Sequence, residues 1–187
     1  MSNIDTMKYL ETAISKDPSR YNLTAIYRDI DCMVATDGYR MHIVTGLPKI
    51  DKPHLLNGID AQYPDYTVVI PTETQLLASI RLYKKQLKQL KDYVTFTGKN
   101  TVSRLTIDES GLLLSVAVGN ITASILLEAK EYFHSLKTTG LKASQLLEAL
   151  LPDTLMTIET GTKENAPLVI QSPIYNTKAV IMPCKLN

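Results

Sequence analysis

Three times along this chain an amphipathic helical stretch is followed by three short strand-like segments, and that order restricts the architecture more than any other property of the sequence. Single helices separated by runs of three strands favour antiparallel sheets with the helices segregated on one face, an α+β arrangement of repeated helix-plus-three-strand units. The first helix is expected over Asp5–Ser15, with Met7, Leu10 and Ile14 on one face, Ser2 or Asn3 as N-cap and Asp17-Pro18 as its stop. Strands follow at Leu23–Ile30, Cys32–Thr36 and Arg40–Val44. The second helix is expected to be longer, capped by Thr72 and reaching about Leu90, because Leu76, Ile80, Tyr83, Leu87 and Leu90 share one stripe. Val102–Ile107, Leu112–Val118 and Ile121–Glu128 are its strands, the first two joined by the polar turn Asp108-Glu109-Ser110-Gly111. A short strand ending at Leu141 leads to a third helix, Ala143–Leu151, and to strands Leu155–Thr160, Leu168–Gln171 and Lys178–Met182. Two units therefore fall in residues 72–187 and one in residues 1–71, where Gly46–Gly58 reads as an irregular connection interrupted by Pro48 and Pro53.

Composition narrows the function classes. At 187 residues, 44% hydrophobic and 21% charged, the chain can bury a core in one or two small domains. No apolar run approaches the roughly 20 residues that span a bilayer, and no basic segment followed by an apolar one opens the chain, so a cytoplasmic protein is expected. Cys32 and Cys184 read as reduced structural thiols, and with His42, His54 and His134 scattered, neither a metal nor a cofactor is expected. The net charge is +1, so binding to nucleic acid would need local clustering of cations. There is no G-x-S-x-G, no phosphate-cradling glycine loop and no paired-histidine spacing, which argues against an enzyme. One catalytic alternative stays open, a metal-dependent nuclease or phosphoesterase built on Asp29, Asp31 and Asp37. Half-exposed aspartates in turns are more often capping groups.

Three motifs carry a more specific signal. Val34-Ala35-Thr36-Asp37-Gly38-Tyr39-Arg40-Met41 reads as a hairpin with Gly38 in the turn, and by itself it is compatible with a purely structural role. Tyr63-Pro64-Asp65-Tyr66 precedes Val68-Val69-Ile70-Pro71, and Val180-Ile181-Met182-Pro183-Cys184-Lys185-Leu186-Asn187 comes last. In this order the three resemble landmarks of the bacterial sliding clamp, the β subunit of DNA polymerase III: an A-T-D-G-H-R-L hairpin, an F-P-D-Y-x-x-V segment between two domains and a V-V-M-P-M-R-L stretch. The resemblance implies a DNA-clamp-like fold with helices on the inner face of a ring and sheets outside. It matches half of the family's middle domain in residues 1–71 and the whole last domain in residues 72–187. On this match, a ring closed as in the three-domain family is not expected.

The resemblance also implies a site. Clamps receive short peptides of the Q-L-x-L-F type, carried by polymerases, the loader and repair proteins, between their last two domains. The matching positions are Leu23, Thr36, Gly38, Arg40, Met41, Pro64, Val69, Val180, Met182, Pro183 and Cys184, with Arg40 able to donate to peptide carbonyls. Tyr39 stands where the family has His, Met41 where it has Leu, Cys184 where it has Met, and Val68 where it can have a cation. Arg81, Lys84, Lys85, Lys88 and Lys91 form a basic flank on the expected second helix, which corresponds to one facing duplex DNA in the family. Such a flank would meet phosphates without reading sequence, and it can equally be solvated surface. The expected partners are a DNA polymerase or other replication and repair proteins, double-stranded DNA bound weakly, and a second copy of the chain, paired through the half-domain or else kept away by the connection folding over its edge. A decoy that occupies clamp-binding motifs without touching DNA is the rival among binding proteins.

Overall fold

The computed structural model describes residues 5–163 and 165–186; the expected N-caps Ser2 and Asn3 fall outside them. Helix α1 is confined to Thr6–Glu11, where Asp5 serves as cap by accepting the Lys8 amide at 3.1 Å. A 3-10 turn over Pro18–Leu23, capped by Asp17, takes the place of the start of the expected first strand. Only Tyr27–Arg28 (β1) of that segment pairs, antiparallel to β2 (Met33–Thr36), which continues into β3 (Arg40–Val44). The connection then lays down a two-residue strand, β4 (His54–Leu55), on the free side of β1. A 3-10 turn at Tyr66–Val69 ends this part.

Beyond it lie β5 (Thr74–Arg81), α2 (Lys84–Thr97), β6 (Val102–Asp108), β7 (Gly111–Val118), β8 (Ile121–Leu127) and β9 (Glu131–Tyr132). They are followed by β10 (Leu136–Lys142), α3 (Ala143–Ala149), β11 (Leu155–Gly161), β12 (Leu168–Ser172) and β13 (Thr177–Ile181). The expected long helix from Thr72 is thus two elements. Thr74–Arg81 is a strand whose Leu77, Ala78, Ser79 and Ile80 are all buried, because β11 pairs along it and both of its faces are covered. A mostly apolar run such as Leu76–Leu82, broken only by Ser79 and Arg81, has no distinguishing period, and its Leu76–Ile80 spacing suits a helix by coincidence. The helix starts only at Lys84, where Gln86 accepts the Tyr83 amide at 2.9 Å.

The strand order reveals how the units are joined. One sheet runs β4-β1-β2-β3-β13-β12-β11-β5-β9 and the other β10-β6-β7-β8, with antiparallel pairing throughout. The strand before α2 joins the triplet that follows α3, and the strand before α3 joins the triplet that follows α2. Two strand–helix–three-strand units therefore exchange their first strands, while α2 packs on α3. The first unit has α1 on β2 and β3, and β4 stands beside β1 as β5 stands beside β11. One apolar core takes residues from all three helices, among them Leu10, Leu90 and Leu146. A smaller core on the opposite face of β2, β3 and β13 gathers Leu23, Val34, Met41, Ile43, Leu55, Tyr63 and Val180. Covered on both faces, β3 is buried from Met41 to Val44, the polar His42 included, although its sequence Arg-Met-His-Ile alternates. Among the described residues no helix is long and apolar enough to cross a membrane.

Candidate functional site

The smaller core opens to solvent as a hollow of about 200 Å³ lined by Leu23, Thr36, Gly38, Arg40, Met41, Pro64, Asp65, Tyr66, Val69, Val180 and Met182. Its floor is set by sheet register: Met41 lies opposite Val180 across the β3–β13 pair, and both are buried. Met182 is placed one step further on by its amide, which donates to the Tyr39 carbonyl at 2.9 Å.

The rim is the hairpin between β2 and β3. Asp37 Oδ1 accepts the amides of Tyr39 and Arg40 at 2.9 and 3.0 Å, while Thr36 Oγ1 accepts the Gly38 amide at 3.0 Å. Gly38 has φ +87°, and a Cβ there would stand 2.9 Å from Arg20 Nη1, which itself donates to the Asp37 carbonyl at 2.8 Å. The positive φ favours glycine at this point of the rim, whereas the Arg20 guanidinium, at the end of a flexible side chain, could give way.

The facing wall comes from the connection. Tyr63 stacks on Tyr27 with ring centroids 4.6 Å apart, Tyr27 meets Tyr66 edge-on at 6.5 Å, and the Tyr66 hydroxyl donates to Asp29 Oδ2 at 2.6 Å. These contacts fix Pro64, Asp65 and Tyr66 against β1, so Val69 ends up over the hollow, 42% exposed. Burial raises the Tyr63 and Tyr66 phenols, and at Tyr66 the Asp29 carboxylate adds to the effect. Burial also raises the Cys32 thiol, whose sulfur lies 3.4 Å from the Tyr66 hydroxyl. Cys32 is an inert packing group here.

Of the eleven expected groove residues, nine line this hollow. Pro183 instead lines a neighbouring depression bounded by Thr138–Leu141 and Thr160–Lys163, which shares Met182 with the first. Cys184 lines neither, because its amide donates to the Gly140 carbonyl at 2.8 Å and pairs the segment with β10. Arg40 lines the hollow and is also engaged within the chain. Its guanidinium binds the Thr12 carbonyl, Asp37 Oδ2 at 3.3 Å and Glu148 of α3, leaving the side chain 11% exposed and committed to holding the first unit on the last. Burial lowers its pKa, partly countered by Asp37. The sequence reading missed Asp65 and Tyr66 as lining residues, although both belong to the motif it used. It also missed the setting of Tyr39, whose exposed ring has Arg20 Cζ at 5.5 Å and Lys142 Nζ at 5.7 Å. No local signal in the sequence places those cations together.

Beneath the rim, His42 stacks on Tyr9 at 4.4 Å and is fully buried, with Nδ1 3.0 Å from the Tyr9 carbonyl and 3.2 Å from Thr12 Oγ1. Burial pushes its pKa down to about 4, so the ring is neutral.

The basic flank divides. Lys84, Lys85, Lys88 and Lys91 are exposed on α2, opposite the buried Leu90, Tyr93, Val94 and Thr97. Arg81 sits at the end of β5 and not on the helix. Ion pairs among the described residues involve only Arg20 and Arg40, so these cations are not neutralised. The proposed aspartate cluster does not form: Asp29 is held by Tyr66 and the Ile30 amide, and Asp37 by the hairpin. No set of three His, Cys, Asp or Glu side chains among the described residues is arranged to hold a metal.

No family model matches the chain, and no curated protein matches it. Solved structures do. The chain is similar to the DNA polymerase III β subunit of Thermotoga maritima at a TM-score of 0.73 and 15% identity, over 97% of this chain and 62% of that one. It is similar to the β subunit of Borrelia burgdorferi in complex with a natural product, at TM-score 0.75, 18% identity and coverages of 97% and 60%. A third is the sliding clamp of Bartonella birtlesii bound to griselimycin, at TM-score 0.69, 20% identity and coverages of 96% and 64%. The chain has the bacterial sliding-clamp fold in shortened form, spanning less than two thirds of the length of these structures.

Proposed function

We propose that the protein is a clamp-like replication or repair accessory factor of the cytoplasm that captures short peptides of the Q-L-x-L-F type in the hollow beneath the Asp37–Tyr39 hairpin. Residues 72–187 act as a complete clamp-like domain and residues 1–71 as half of another. The observation that carries this reading is convergence: three segments far apart in sequence meet at one apolar hollow with polar main chain at its rim. Leu and Phe anchors of a bound peptide would take the place of water over Met41, Val180 and Met182, and buried anchors of this sort dominate the energy of small interfaces. Thioether and aliphatic walls adapt to several anchor shapes. Pro183 and the neighbouring depression extend the surface for peptide residues beyond the anchors, while Arg40 acts indirectly by fixing the hairpin on α3. The exposed lysines of α2 supply a weaker, sequence-independent attachment to duplex DNA.

Fluorescence anisotropy with a labelled Q-L-x-L-F peptide tests the reading. A micromolar Kd is expected, and Val69→Asp, at a half-exposed position, should weaken binding by about tenfold or more without altering the unfolding curve. Equal binding by this variant and the parent protein would remove the hollow as the peptide site.

A further inference from the structure

We propose that Tyr39, with Arg20 and Lys142 held beside its ring, is a specificity-determining site that selects peptides carrying an acidic residue directly before the Leu-Phe anchors, an inference that rests on the hollow being the peptide site.

The first ground is position. Tyr39 stands between Gly38 and Arg40, which line the hollow, and its carbonyl accepts the amide of Met182, the residue that the hollow shares with the neighbouring depression. Lys142 directly follows Gly140 and Leu141, which line that depression. A peptide passing from one to the other over Met182 therefore runs alongside the Tyr39 ring. With its paired Leu and Phe anchors in the hollow, the residue before them is the one that crosses. The Tyr39 amide donates to Asp37 Oδ1 at 2.9 Å, so its backbone is pinned on both sides while the side chain remains 56% exposed.

The second ground is charge. Arg20 Cζ and Lys142 Nζ are drawn to one ring by the negative face of its π-system, and two like charges are thereby concentrated at the rim. Little relieves them. Lys142 has no ion-pair partner among the described residues, and Arg20 meets Asp17 only at 4.0 Å, in solvent. The other acids close by are engaged: Asp37 holds the hairpin amides and Arg40, and Glu148 holds Arg40. Asp65 lies on the facing wall of the hollow. An acidic side chain is therefore repelled by that wall and attracted by the Tyr39 rim, and a basic one meets the reverse.

Fluorescence anisotropy with three Q-L-x-L-F peptides, bearing Asp, Ala or Lys at x, tests this on the parent protein and on Lys142→Glu. Arg20 is left in place because it also supports the hairpin. Lys142 makes no ion pair whose loss would disturb folding, and circular dichroism verifies the variant. The parent protein is expected to bind the Asp peptide about tenfold more tightly than the Lys peptide, with the Ala peptide between them. That ratio should fall toward one in Lys142→Glu, and in the parent protein as salt rises from about 0.05 to about 0.5 M. Equal binding of all three peptides by the parent protein would overturn the selection and leave the peptide site standing. A ratio that Lys142→Glu or salt leaves unchanged would overturn its assignment to the Tyr39 rim. Failure of every peptide to bind would remove the peptide site and this inference with it.

Discussion

The first unit and the two that follow it are built from the same parts, yet they are completed differently. In the later pair each triplet is extended by a full strand from the other unit, β5 along β11 from Thr74 to Arg81 and β10 along β6 from Leu136 to Lys142, and α2 lies against α3. In the first unit β4 reaches β1 only at Leu55–Tyr27 and His54–Arg28, and the connection does the rest by crossing the outer face with Tyr63 and Tyr66. Exchange fills one face with strands and helices, whereas the connection leaves a hollow. The candidate site lies where completion is partial, which is where concave apolar surface is to be expected.

The comparison is broken most directly by cavities. Leu77→Ala, in the exchanged core, should cost about 3–4 kcal/mol in urea unfolding, and Leu55→Ala, under the connection, about 2 kcal/mol because that site can relax toward solvent. Equal costs would show that the first unit is as tightly completed as the others. Next in size is a pH effect confined to the first unit. His42 is neutral and buried with its pKa at about 4, below the ordinary 6.5, so the unfolded chain takes up the proton first. Its contribution is complete above pH 6.5 and is lost as pH falls toward 4, on the order of 3 kcal/mol in all. His42→Gln should flatten the stability profile between pH 6.5 and 5, where carboxylates remain ionised; an unchanged slope would assign the effect to other groups. Smaller again is the tie between first and last units: Glu148→Gln should cost about 1 kcal/mol, since that side chain is 36% exposed, and Arg40→Met more because Thr12 and Asp37 lose their partner too. A double-mutant cycle with no coupling would discard the tie. Least affected is α2. Lys84→Glu with Lys88→Glu should change stability by less than about 0.5 kcal/mol while weakening DNA retention and flattening its log–log salt slope by about 2. No retention by the parent protein at low salt, with peptide binding intact, would point to a decoy.

Much of the fold was legible because it rests on local signals. The Asp37-Gly38 turn, the Asp108–Gly111 turn and the strands from Val102 to Leu127 stand within a residue or two of their expected bounds. β5 was misread because a strand buried on both faces carries no alternation, and β4 was invisible because two residues paired at an edge leave no pattern. The first strand was overextended: Leu23 and Ala25 are apolar to fill the smaller core, and Thr24 closes a turn by donating to the Tyr21 carbonyl at 2.8 Å. At the site, the lining followed from motif order, but the engagement of Arg40 did not, since Thr12 and Glu148 are remote in sequence and meet it only through the β3–β13 junction.

That junction also sets a timetable. The Thr45 amide donates to the Asn176 carbonyl across a separation of 131 residues, and Met41 has no Val180 to face until that much more of the chain has been made. During synthesis at roughly 5–20 residues per second, β13 and its Val180 follow the hairpin by several seconds, so for that interval Met41 lacks its partner in the floor. Pairings of such long range are slow to form once available. On the proposed reading, a peptide therefore meets a complete hollow only after β13 has docked against β3.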